Sequence, residues 1–209
     1  MSDNGLANPE LAAVEIDEIS RSDVLMKGVL AAGAVYGLGA IGPFLRNSFA
    51  QSGGGDVEIL NFALTLEYLE AAFYDEAKSK AGASGELKEL IDLLAEDEAQ
   101  HVEALDATIK QLGGKPVAAP KVVFPYSDTQ GFLKLAQTFE DTGVSAYNGA
   151  APSIKSKDVL AAAGGIVQVE ARHAAAIRLQ NGVSPAPMSF DETLDMDEVL
   201  AAVQPFVKS

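Results

Sequence analysis

Glu98 and His101 stand three residues apart in LAEDEAQHVEAL, and Glu170 and His173 stand three apart in GGIVQVEARHAAAIR; these are the two histidines of the chain. At that spacing a carboxylate and an imidazole share one helix face, where they offer an oxygen and a nitrogen to a divalent cation. Their surroundings sharpen the point. Steps of four and three residues run through Leu87, Ile91, Leu94, Glu98, His101, Leu105, Thr108 and Leu112, and again through Val159, Ala163, Ile166, Glu170, His173, Ile177 and Gln180. Each pair therefore interrupts an apolar seam where leucine would be expected. One such pair alone reads as a solvated surface ion pair, but burying both groups without partners is costly, and a metal ion is the simplest partner for two copies.

Each pair has an upstream glutamate. Glu67, in ALTLEYLEAAFY, shares a helix face with Leu60, Leu64, Ala71 and Tyr74, and Glu140, in AQTFEDTGVSAY, shares one with Leu133, Ala136, Val144 and Tyr147. Glu67 precedes Glu98 by 31 residues and Glu140 precedes Glu170 by 30, while Tyr74 and Tyr147 each follow their glutamate by seven. The chain is thus an internal repeat of two helical hairpins, each supplying one glutamate and one E-x-x-H.

Glu, E-x-x-H, Glu, E-x-x-H over four helices resembles the ferritin-like di-iron or di-manganese carboxylate bundle. NFALTLEYLEAAFY, GGKPV, EDTGVSAYNGAAP and FDETLDMDEVLAAVQPFV are similar to its desiccation-related branch, over roughly residues 56 to 207. The resemblance implies two iron or manganese ions, bridged by Glu98 and Glu170, with His101 and His173 binding one each and Glu67 and Glu140 as terminal ligands. Glu70, one turn beyond Glu67, is either a further ligand or an outer acceptor, and ranks lower because its repeat counterpart is Gly143. Tyr74 and Tyr147 either hydrogen-bond across to a ligand carboxylate, orienting the site, or simply pack in the core. Asp97 and Asp141 flank ligands but fall off the seam and read as surface charges.

The elements needed to position these groups are four helices, at about Val57 to Lys78, Gly85 to Leu112, Asp128 to Gly149 and Lys157 to Asn181. Asp56 is the expected N-cap of the first. Glycine-rich AGASG makes a tight first hairpin, and Gly113 and Gly114 stop the second helix. KPVAAPKVVFPYSD, with Pro116, Pro120 and Pro125, is non-helical and long enough for a crossover. Gly143 marks either a close helix approach or a kink. A short amphipathic helix follows at Glu198 to Phe206, and no strand-like alternation of useful length occurs. The fold class is all-α: a ferritin-like four-helix bundle with one long crossover loop over residues 56–209, preceded by an N-terminal segment over 1–55.

That segment opens with an acidic stretch over residues 1 to 23 that carries six acids and one arginine, Arg21, too polar to build a core. From Gly28 to Leu45 there are 18 uncharged residues, and with the small residues ending at Ala50 they read as an export signal. SRSDVLMKG resembles a twin-arginine signal that lacks its second arginine. Uncleaved, the same run would be a membrane anchor, with membrane contact through residues 24–45. The expected destination is periplasmic, extracellular or membrane-anchored.

With 30 acidic and 15 basic residues the formal charge is −15, which argues against a nucleic-acid partner and suits cations. The absence of cysteine removes disulfides, thiolate zinc sites and iron–sulfur clusters. The expected partners are metal ions and small oxidants, oxygen or peroxide, with homo-oligomerisation left open. The preferred expectation is a metal-dependent redox protein that handles oxidants by ferrous oxidation or peroxide removal, or serves in stress protection; the alternative is a non-enzymatic structural, desiccation-protective or membrane-assembled scaffold that retains the bundle.

Overall fold

The computed structural model describes residues 55–208. The acidic N-terminal stretch and the hydrophobic run expected to serve as export signal or anchor lie outside them. Among the described residues no helix is long and apolar enough to cross a membrane.

The fold is all-α. Helix α1 (Asp56–Lys80) pairs with α2 (Glu86–Gln111), and α3 (Thr129–Ala150) pairs with α4 (Lys157–Gln180). Packing of α1 on α3 and of α2 on α4 closes the two hairpins into a four-helix bundle. A final helix, α5 (Met196–Val203), docks on α3 and continues as a 3-10 turn, Gln204–Phe206. The five α-helices of the described residues start and end within two residues of the positions expected from sequence, except at the end of α5, where Pro205 falls in the 3-10 turn.

The repeat reaches the ends of the helices. In the first hairpin Gly114 N donates to Ile109 O at 2.9 Å and Gly113 N to Lys110 O at 3.0 Å; in the second Val183 N donates to Arg178 O and Gly182 N to Leu179 O, both at 3.0 Å. This paired bonding closes a helix only through a left-handed residue. Gly113 and Gly182 supply it, at φ 77° and 72°.

Asp56 is not the N-cap of α1. Gly55 holds that position without a side-chain bond, and the Asp56 carboxylate instead accepts from Lys155 N and Ser156 N, both at 2.8 Å. It thereby ties the start of the first hairpin to the turn inside the second. The crossover is similarly fastened. Asn61, buried on α1, donates to Lys115 O and accepts from Val117 N, and Val122 forms an isolated antiparallel bridge with Val207. α5 starts with a capping box between Asp195 and Glu198, which fixes where the C-terminal segment turns back onto the bundle.

Two apolar layers fill the interior. One is aromatic, with Phe73 stacked on Phe132 at 5.1 Å and edge-on to Phe124, Tyr126 and Phe139. The other gathers Leu60, Leu64, Leu105, Ile109, Val159 and Ala163. On α2 the seam runs from Leu105 to Ile109, while Thr108 is half-buried and Leu112 exposed; a 3.6-residue repeat outruns steps of four and three there. Between the layers, each of the four long helices turns acidic or imidazole groups inward.

Candidate metal centre

Glu67, Glu98, Glu140 and Glu170 are each 0% exposed, and His101 and His173 are buried beside them. Their ligand atoms fall into two groups, Glu67 with Glu98, His101 and Glu170, and Glu140 with Glu98, Glu170 and His173, each within 4.8 Å of one another. Glu98 and Glu170 belong to both. One hairpin alone could not assemble either group, because each takes at least one residue from the opposite hairpin.

His101 Nδ1 lies 2.9 Å from Glu170 Oε1, 3.2 Å from Glu98 Oε2 and 3.3 Å from Glu67 Oε2. His173 Nδ1 lies 2.9 Å from Glu98 Oε1, 3.7 Å from Glu140 Oε2 and 3.8 Å from Glu170 Oε2. Close approach is not the same as pairing. Glu67 Oε2, Glu98 Oε1, Glu140 Oε2, both Glu170 oxygens and His173 Nδ1 have no aligned hydrogen-bond partner. Buried polar atoms are normally satisfied, so a set of orphaned oxygens and nitrogen converging on shared points fits divalent cations with oxygen and imidazole preferences.

The tyrosines are tied to this cluster across the bundle. Tyr147 Oη on α3 donates to Glu67 Oε1 on α1 at 2.5 Å, and Tyr74 Oη on α1 donates to Glu140 Oε1 on α3. Each bond occupies one carboxylate oxygen and leaves Oε2 facing inward, so the phenols select which oxygen is free. Burial first, and the neighbouring carboxylate second, push both phenols well above their ordinary pKa, so they remain donors.

Without metal the cluster partitions its charge. Burial raises Glu67, Glu70 and Glu140 well above the ordinary carboxyl value, and the negative field of Glu170 adds to it. For Glu98 burial also acts upward, but the imidazoles of His101 and His173 standing against its two oxygens outweigh it and bring the carboxyl down to about 2. The imidazoles are disfavoured as cations by burial, yet their carboxylate partners push His101 up to about 12 and His173 to about 11. Protons occupy the places of missing positive charge, and metal binding would have to release them.

Glu70 is buried but belongs to neither group. A Cβ at Gly143 would stand 3.2 Å from Glu70 Oε1 and 3.6 Å from Glu170 Oε2. The glycine in α3 therefore makes room for the additional carboxylate that its repeat counterpart on α1 carries. Beside them is a cavity of about 10 Å³ lined by Leu66, Leu69, Phe139, Thr142 and Val203. A cleft of about 720 Å³ lies elsewhere, around Lys134, Asp141, Arg178 and Glu192, and none of the cluster residues lines it.

Asp97 and Asp141 are not merely surface charges. Asp97 Oδ2 is 3.1 Å from His173 Nε2, and Asp141 accepts from Arg178, a buried cation on α4 that also donates to Pro185 O. Both contacts join different helices, which counting along one helix does not reveal. The available signal was local: each aspartate adjoins a glutamate of the seam.

Comparison with known proteins bears on the bundle as a whole. Residues 55–182 match the family described as ferritin-like domain. The chain is also 25% identical over 160 residues to Protein rds1 of Schizosaccharomyces pombe, an alignment that takes in 73% of this chain and 39% of that protein. The chain thus spans about two-fifths of the length of the curated relative it matches.

Proposed function

The chain belongs to the ferritin-like domain family, and on that premise we propose that it holds a dinuclear iron or manganese centre used to handle small oxidants. The observation that carries this reading is the sharing of Glu98 and Glu170 between two four-residue groups of buried ligand atoms. Glu98 and Glu170 would bridge, His101 and Glu67 would complete one position, and His173 and Glu140 the other. A bound pair of such ions supplies two-electron chemistry with oxygen or peroxide.

The chain's own residues favour a small reactant. The cavity beside Glu70 has room for about one water molecule, and the wider cleft is lined by none of the cluster residues. Tyr74 and Tyr147 hold Glu140 and Glu67 each by one oxygen, and the two apolar layers keep the ligands from solvent. Neither iron nor manganese is favoured by this ligand set.

The test is turnover by the full chain after reconstitution with ferrous or manganous ion. Ferrous oxidation by oxygen or peroxide, or peroxide disproportionation, that is lost in Glu98→Ala supports the reading. Metal that binds and raises the melting temperature without any turnover would assign the centre a structural role instead.

A further inference from the structure

The two halves of the cluster are related by an offset of 72 residues, Glu98 to Glu170 and His101 to His173. Asp97 breaks that relation, because the equivalent position on α4 is Val169. His173 thus has a carboxylate against its outer nitrogen, supplied by α2, while the repeat-equivalent residue on α4 is a valine, which carries no acceptor. We propose that Asp97 makes the two metal positions unequal: it positions the His173 ring so that the site built on His173 and Glu140 binds metal more tightly and fills first. This rests on the dinuclear reading above.

An ionised aspartate only accepts hydrogen bonds, so at 3.1 Å the His173 Nε2 must carry the proton. Nδ1 can then present a lone pair, and it is Nδ1 that faces Glu98, Glu140 and Glu170. Asp97 therefore selects the metal-binding tautomer, holds the ring in orientation and makes the free nitrogen more basic. The His101 Nδ1 faces inward too, but its tautomer and angle are not set by a carboxylate at the repeat-equivalent place. Its side chain is also the more exposed, 11% against 5% for His173. Removing an outer partner of this kind typically weakens metal binding by about 10–100-fold.

A merely structural tie between α2 and α4 would behave differently, since losing it would loosen both positions. The experiment separates the positions first. Mn²⁺ is titrated into the metal-free full chain carrying His101→Ala, which leaves the His173 position, and carrying His173→Ala, which leaves the other; Asp97→Asn is then added to each. Asp97 is 31% exposed at its side chain, so the amide introduces no buried unpaired charge. The expected result is a fall in affinity of about 10–100-fold in the His101→Ala chain and no change in the His173→Ala chain. Val169→Asp in the His173→Ala chain supplies the missing partner and is expected to tighten binding there. An unchanged His101→Ala affinity on adding Asp97→Asn, or an equal fall in both chains, overturns the proposal. Should either histidine variant not fold, the same substitution in the otherwise unaltered chain must weaken one of two resolved binding steps and spare the other. An unaltered chain that takes up no Mn²⁺ and no Fe²⁺ would instead refute the metal centre itself.

Discussion

Raising the pH of the metal-free chain is expected to destabilise it, and the cluster sets the size of the effect. Glu67, Glu70 and Glu140 are held above the 4.5 of an ordinary carboxyl, by burial first and neighbouring carboxylates second. The folded chain keeps protons there that the unfolded chain releases, so their contribution is full below pH 4.5 and is lost as pH climbs. His101 and His173, raised from 6.5 to about 12 and about 11, act in the same direction once the unfolded imidazoles deprotonate. Glu98, lowered to about 2, acts oppositely, but its contribution is lost only as pH falls below 4.5 and does not compensate here. Each retained proton costs about 1.4 kcal/mol per pH unit, so three carboxyls give a slope of up to about 4 kcal/mol per unit. Two units would remove much of the roughly 5–15 kcal/mol that holds a typical domain. Urea unfolding of the chelator-treated chain between about pH 5 and about pH 7 measures the slope, and Glu70→Gln should reduce it by about one proton's share. A metal-free stability that stays flat or rises over this window would refute the charge partition.

Other expectations follow from individual contacts. Glu98→Ala and Glu170→Ala should each lose both metals, while His101→Ala and His173→Ala should retain about one, as elemental analysis after mild desalting will show. Tyr147→Phe removes the donor to Glu67 and should lower stability by about 1–3 kcal/mol, read in metal-free melts. Gly149→Ala would put a Cβ 1.9 Å from Leu194 O, so α5 and its leading loop must lift off α3; a loss of at least about 2 kcal/mol is expected by urea denaturation. Asp56→Ala frees Lys155 N and Ser156 N, and amide exchange in the turn before α4 should quicken.

Much of this architecture is legible in the sequence because the repeat carries it. Two E-x-x-H pairs on apolar seams, with matched glutamates upstream, need four helices and one crossover, and the glycines after α2 and α4 mark where the hairpins stop. Contacts between helices are less legible. Asp97 falls off the α2 seam yet meets His173 because α4 passes beside it, and Asp56 fits an N-cap by position while its oxygens serve amides about 100 residues away. The pairing of Val122 with Val207 has no strand pattern behind it, being a single bridge. Gly143 reads as a kink or close approach until Glu70 is seen to occupy the space.

The central claim is that Glu98 and Glu170 join two ions in one centre. Electron paramagnetic resonance of the chain loaded with manganous ion tests it most directly. Two ions per chain with an exchange-coupled spectrum are expected, as shared carboxylates require. Two isolated six-line signals, or no bound ion, would contradict it.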